Sequence, residues 1–227
     1  MSAQPNLQAL AERALTFVRD GMTVGLGSGK ASTAFIEALG ERVREGLSVR
    51  GIATSQASEQ VARRVGVPLV TLDDAPSLDV TCDGADEVDP EGNCIKGYGA
   101  ALVREKVVAS VSRRLVILVG SEKLVGCLGA RGKLPVEVVP FAAAVCQRRL
   151  GEHGLHASIR QAVDGPLVTD NGNWILDCAT GPLEQPQTIE DAIRAIPGVV
   201  GTGLFLGMSH VVLVERDGQV EERRYRA

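Results

Sequence analysis

The feature that most constrains this chain is its alternation of short apolar runs with helical segments. Leu7 to Val18 places Leu7, Leu10, Ala11, Ala14, Leu15 and Val18 on one helical face. Met22 to Leu26 is a short apolar strand that leads into a loop with Gly25, Gly27, Ser28 and Gly29. Ala31 to Leu39 then turns Phe35, Ile36 and Leu39 inward on a second helix. A strand over Val49 to Thr54, a helix over Ser58 to Val65, and short strands over Leu69 to Leu72 and Leu78 to Thr81 follow. Ala100 to Ser112 reads as a helix, and Leu115 to Val119 as a strand rich in β-branched residues. Alternation of this kind predicts a parallel sheet covered by helices, an α/β domain.

The pattern changes near Leu134. Val136 to Val139 reads as a strand, Phe141 to His153 as a helix and Ala157 to Gln161 as a strand. Leu167 to Asp177 reads as a hairpin turning at Asn171-Gly172. Thr188 to Ile196 reads as a helix with a Thr cap and Glu190 and Asp191 in its first turn. Val199 to Leu206 is a closing strand, and Val211 to Val214 returns to the first sheet. The β-α-β-β-α-β order predicts a small ferredoxin-like α+β domain over 133–207, inserted into an α/β domain formed by 1–132 and 208–227.

Composition excludes several classes. The net charge is -4 with signs interspersed, and no basic block suggests a nucleic-acid partner. No run of about 18 apolar residues predicts a membrane span, and Met1 to Leu10 lacks the basic start and apolar run of a signal peptide. Five cysteines, at 82, 94, 127, 146 and 178, form no CxxC pair. Buried thiols in a reducing cytoplasm fit them better than disulfides or zinc. His153 and His156 lack an evident third metal ligand, and His210 reads as structural.

Four segments carry chemistry. In the first, Gly25-Leu26-Gly27-Ser28-Gly29-Lys30-Ala31 joins a strand to a helix, so its free N–H groups suit a phosphate. Lys30 stands where a dinucleotide fingerprint needs Gly, and Val24 and Ala31 break a Walker A loop. The alternative is a tight turn with glycines for geometry only. The second is Asp83-Gly84-Ala85-Asp86-Glu87-Val88-Asp89, with four carboxylates in seven residues after an apolar strand. The C-terminal end of a parallel strand is where such sheets hold ligands. A solvated acidic turn remains the alternative, and the Ca²⁺-loop order is absent.

In the third segment, Lys96-Gly97-Tyr98-Gly99 lets backbone approach a ligand and leads to Glu105. Helical neighbours of Glu105 are Ala101, Leu102, Val108 and Ala109. An apolar setting of that sort lifts a carboxyl toward a useful value for a proton base. A solvated Arg104–Glu105–Lys106 edge is the competing reading. The fourth segment, Ser121-Glu122-Lys123, would put Lys123 at the same sheet edge, though a lone Lys there is usually a surface residue.

Taken together these segments resemble the A-type ribose-5-phosphate isomerases. The likeness runs through Gly25–Gly29, Thr54-Ser55, Asp83–Glu87, Lys96–Lys106, Ser121–Val125, Leu134–Val138, Thr169–Asn173 and Pro197–Val200, nearly the whole chain in order. It implies a Rossmann-like domain carrying a small α+β insert, and interconversion of ribose 5-phosphate and ribulose 5-phosphate in the cytoplasm. By that resemblance Glu105 moves a proton between C2 and C1, Lys96 stabilises the oxyanion, and Asp83 assists ring opening. Asp86 would hold sugar hydroxyls, while Ser28, Gly29, Lys30, Ala31 and Lys123 would meet the phosphate end. Gly84, Ala85, Gly97, Tyr98 and Gly99 would complete the substrate contacts. No metal or organic cofactor is implied, and a homodimer is. Three positions depart from the usual pattern: Lys30-Ala31 replaces Ser-Thr, Leu7 stands near an expected Lys, and Tyr98 replaces a Gly and is expected to narrow the pocket. An amino-sugar phosphate isomerase-deaminase would favour a histidine near these segments. A non-enzymatic sugar-phosphate sensor would not need Glu105.

Overall fold

The structure, a computed structural model, describes residues 5–225. The part of the N-terminal reading over residues 1–4 lies outside them. In chain order the elements begin with α1 (Leu7–Leu15), β1 (Thr23–Leu26), α2 (Lys30–Arg44), β2 (Arg50–Ala53), α3 (Gln56–Val65) and β3 (Val80–Gly84). Next come β4 (Glu87–Val88), β5 (Cys94–Ile95), α4 (Leu102–Ser110), β6 (Leu115–Gly120) and a 3-10 turn over Ser121–Lys123. Then follow β7 (Leu134–Val138), a 3-10 turn over Pro140–Ala142, α5 (Ala143–Glu152), β8 (His156–Ile159), β9 (Gln161–Ala162) and β10 (Gly165–Pro166). The last are β11 (Trp174–Ala179), α6 (Pro186–Arg194), β12 (Val199–Thr202), β13 (Leu204–Phe205), β14 (Val211–Arg216) and β15 (Gln219–Arg224).

These elements divide into two compact units. The first holds the described residues up to Ala85, Arg104–Leu124 and the chain from Gly207 onward. Its six-stranded sheet has the order β15-β14-β6-β3-β1-β2. All neighbours are parallel except the β14–β15 pair. Successive side chains on a strand face opposite ways. Val24, Leu26, Val80, Cys82, Val116, Leu118 and Leu213 accordingly share one core cluster with Leu10 of α1 and Phe35, Ile36 and Leu39 of α2. Each such fully buried side chain contributes about 1.5–3 kcal/mol. A second cluster joins Ile52 and Leu78 to Val108 of α4.

The second unit comprises Asp86–Val103 and Val125–Leu206. Its main sheet is antiparallel, with the order β12-β7-β11-β8, the ferredoxin-like arrangement expected for this segment. Leu150 and Cys146 of α5 and Ile193 of α6 share its core with Val136, Val138 and Leu176. This unit reaches beyond the 133–207 span, because the small sheet β13-β5-β4 ties Glu87–Val88 and Cys94–Ile95 to Leu204–Phe205. The Thr169–Asn173 turn is pinned to β7: Glu137 accepts from the Thr169 hydroxyl and from the Asn171 and Asn173 side-chain amides.

Several local expectations need correction. Leu69 to Leu72 forms no strand, only a single bridge between Leu69 and Gly51. The expected Ala100 start of α4 moves to Leu102, since Ala100 takes a left-handed conformation with φ 63. Helix α3 starts earlier than Ser58, because the Ser55 hydroxyl caps it by accepting from the Ser58 N–H. Helix α6 likewise starts at Pro186, not at a Thr188 cap; proline suits the first helical position because its missing N–H needs no partner there. The Leu167–Asp177 hairpin shrinks to one bridge, Val168 to Trp174, before β11.

Candidate active site

In the first unit the chain leaves β1 for β2 on one side, then returns to place β3 on the other. Loops after the C-terminal ends of two such strands diverge and leave a crevice, the usual ligand position of open α/β sheets. Here those ends are Gly27-Ser28 and Asp83-Gly84. Asp83 is buried, and its Oδ1 accepts from the Ser28 N–H at 2.9 Å, the Ser32 hydroxyl at 3.1 Å and the Gly84 N–H at 2.8 Å. Glycine at position 27 is a steric requirement: a Cβ there would stand 2.2 Å from the Asp83 Oδ1. The Ser28 hydroxyl meets those of Thr54 and Ser55 at 2.9 and 2.8 Å, which stitches the loop to the start of α3.

Helix α2 opens on Gly29, with φ 91 and no side-chain cap. Its first-turn N–H groups, with the exposed Lys30 and half-buried Ala31 beside them, make an electropositive start. Lys123 ends the 3-10 turn after β6, and β6 neighbours β3, so it shares the carboxyl edge with Asp83 and Gly84. Glu105 lies on α4 and is 5% exposed, while Ala101, Leu102, Val108 and Ala109 are all buried, as the apolar spacing anticipates.

In the second unit, Asp86 accepts the Tyr98 N–H at 2.9 Å and donates its own N–H to Ile95. Lys96 is buried, its N–H donates to the Gly203 carbonyl at 2.9 Å, and its ammonium lies 5.4 Å from the Phe205 ring centroid. Gly97 takes φ 102, which a side chain would resist. The Tyr98 ring packs on the core of this unit, and its hydroxyl donates to the Lys133 carbonyl at 3.3 Å. Burial, helped by the charges of Glu87 and Asp86, pushes that hydroxyl up to about 12, so it remains a donor at neutral pH.

The four carboxylates of the acidic run have separate tasks. Glu87 accepts the N–H groups of Gly129 and Arg131, and Asp89 accepts those of Glu91 and Asn93, so both fix loops. His210 has a structural contact, its Nδ1 accepting the Leu115 N–H. Among the described residues no group of three His, Cys, Asp or Glu stands together to hold a metal. No helix there is long and apolar enough to cross a membrane. Ser32 and Arg160 had no signal of their own in the sequence, yet both contact the segments above. Arg160 Nη1 reaches the carbonyls of Gly97 and Tyr98, each at 2.9 Å.

Known proteins resemble this chain in both sequence and fold. The family model for ribose 5-phosphate isomerase A (phosphoriboisomerase A) matches residues 50–219. The ribose-5-phosphate isomerase A of Parvibaculum lavamentivorans is 43% identical over 96% of each chain. That of Bradyrhizobium diazoefficiens is 47% identical over 94% of each. Among solved structures, ribose 5-phosphate isomerase A from Methanocaldococcus jannaschii superposes with a TM-score of 0.92 at 39% identity, covering 96% of this chain and 98% of its own. A D-ribose-5-phosphate isomerase in complex with phospho-erythronic acid gives 0.94 at 34% identity, covering 98% and 100%. With the family model matching residues 50–219 and relatives agreeing in sequence and fold over nearly the whole chain, this chain belongs to the ribose 5-phosphate isomerase A family.

Proposed function

We propose that this chain is an aldose-ketose isomerase that interconverts D-ribose 5-phosphate and D-ribulose 5-phosphate through an enediolate, in the non-oxidative pentose phosphate pathway. A proton leaves C2 and one returns to C1, while a hydroxyl proton moves from O2 to O1. Glu105 is the carbon base in this reading, supported by its burial among apolar neighbours. Lys96 is the cation at the oxyanion, where a fixed charge in a water-poor setting is worth most. Asp83 assists ring opening and hydroxyl proton transfer, and Asp86 holds sugar hydroxyls. The observation that carries the proposal is the buried Asp83 at the reversal of strand order, held by Ser28, Ser32 and Gly84.

The phosphate end goes to the first turn of α2, with Lys30 and Lys123 as counter-charges. A phosphorylated aldonic acid in the related complex fits this chemistry, because its carboxylate resembles a planar enediolate. The step needs only carboxylates and an ammonium, so the enzyme works without a metal or organic cofactor. We also assign it to the cytoplasm, in keeping with five free thiols, four of them buried. A homodimer, expected by resemblance, would have exposed apolar side chains such as Phe141 to cover. The test is ketose formation from ribose 5-phosphate by the purified protein, before and after exhaustive chelation. Equal turnover in both is expected. No turnover in either sinks the isomerase assignment, and a loss restored by a divalent ion moves Asp83–Asp89 to a metal role.

A further inference from the structure

Arg160 follows β8, the edge strand of the second unit's main sheet, and its side chain is only 9% exposed. Its guanidinium is used on two sides. Nε and Nη2 grip Asp177 on β11 through both carboxylate oxygens, and Lys133 closes on the same carboxylate at 2.8 Å. Nη1 then donates to two successive backbone carbonyls, Gly97 and Tyr98, at 2.9 Å each. A planar fork can serve both partners at once, and an ammonium cannot.

The consequence follows from peptide geometry. A trans peptide is planar, with its carbonyl and N–H pointing opposite ways. Turning the Gly97 and Tyr98 carbonyls onto one cation therefore turns the Tyr98 and Gly99 N–H groups to the other side. The Tyr98 N–H indeed meets Asp86 there at 2.9 Å, while Gly99 is exposed. The loop needs such a brace: Gly97 and Ala100 both have positive φ, at 102 and 63.

Resting on the isomerase reading above, we propose that Arg160 is a positioning residue for the reaction. It sets the Gly97–Tyr98 and Tyr98–Gly99 peptide planes, which braces the loop that carries Lys96 and aims the Gly99 N–H at the substrate. Arg160 acts in this way without touching a reacting atom.

The experiment compares Arg160→Lys, Arg160→Ala, Lys96→Ala and the Lys96→Ala/Arg160→Ala pair in the full chain. Misplacement of about 1 Å can cost on the order of a hundredfold in rate. Arg160→Lys should lower kcat about tenfold to hundredfold with KM changed less than about threefold, at temperatures well below its melting point. Ethylguanidinium should restore part of the activity of Arg160→Ala and none in Arg160→Lys, whose ammonium fills the space. The double variant should lose clearly less than the product of the two single losses. Parental kcat in Arg160→Lys, or losses that multiply in the double variant, would overturn the proposal. If Arg160→Ala does not fold, Arg160→Lys decides alone. A parent protein without turnover would instead overturn the isomerase reading, a distinct result.

Discussion

Two regions with assigned roles are held in place by different means. The crevice at Ser28 and Asp83 is built from neighbours: two adjacent parallel strands, a glycine that permits close approach, and short hydroxyl side chains. The Lys96–Gly99 loop has no regular structure and is held from afar, by Gly203, Asp86 and Arg160. A site formed at a strand end gets its geometry from the sheet itself. A site in a loop gets it from whatever side chains reach it, and those can come from a distant part of the chain.

The largest effect should come from the base. Glu105→Gln keeps the shape and loses the proton acceptor, so kcat should fall on the order of a hundredfold or more, while titration calorimetry still detects substrate binding. Near-native turnover would remove Glu105 from the mechanism. Lys30→Ala sharpens the role of the strand-end region. If Lys30 meets the phosphate equally in ground and transition states, KM should rise about tenfold to hundredfold with kcat little changed. Inorganic phosphate should also inhibit the variant more weakly than the parent. An unchanged KM with unchanged phosphate inhibition would leave Lys123 and the α2 amides as the anion site.

Smaller still is Ser32→Ala. It removes one of three donors to the Asp83 Oδ1 and leaves the Ser28 and Gly84 N–H groups. One hydrogen bond corresponds to about a twofold to tenfold loss, and the loss should fall on kcat. A drop as deep as that of Glu105→Gln would mean the carboxylate depends on a single hydroxyl.

The smallest effect concerns acid. Burial alone would raise the Asp177 carboxyl, but the hydrogen bonds from Arg160 and Lys133 reverse this and hold it below its ordinary 3.8. A depressed folded value stabilises the protein above the unfolded value, and that contribution is lost as pH falls through the folded one. Urea melts below about pH 4 should therefore show the parent losing stability more steeply than Asp177→Asn. Parallel curves would mean that Asp177 gains nothing from its partners.

The same contrast explains what could be read from the sequence. Ser28, Asp83 and Glu105 stand out because a strand end or an apolar helical face encloses them, and both are periodic signals. Arg160 falls inside the Ala157–Gln161 stretch, where a charged residue reads as solvated; only the fold brings Gly97 and Asp177 to it. Strand β15 carries no periodic signal for a related reason. Gln219–Arg224 is almost wholly polar, and its extended form is set by pairing with β14 and by the Arg13–Glu222 ion pair. The two-residue strands β4 and β5 carry too little pattern to detect. Tyr98 packs its ring on the core of the second unit, a contact that no local pattern in the sequence signals.

The central claim is proton transfer between C2 and C1 by one carboxylate. It is tested most directly by following ribose 5-phosphate in deuterium oxide by proton NMR, with the parent protein and with Glu105→Gln. The account predicts that the parent forms ribulose 5-phosphate and carries solvent deuterium into C1 of the ketose, while Glu105→Gln shows neither process on the same time scale. Ketose formation with deuterium incorporation at the parental rate in Glu105→Gln would contradict it.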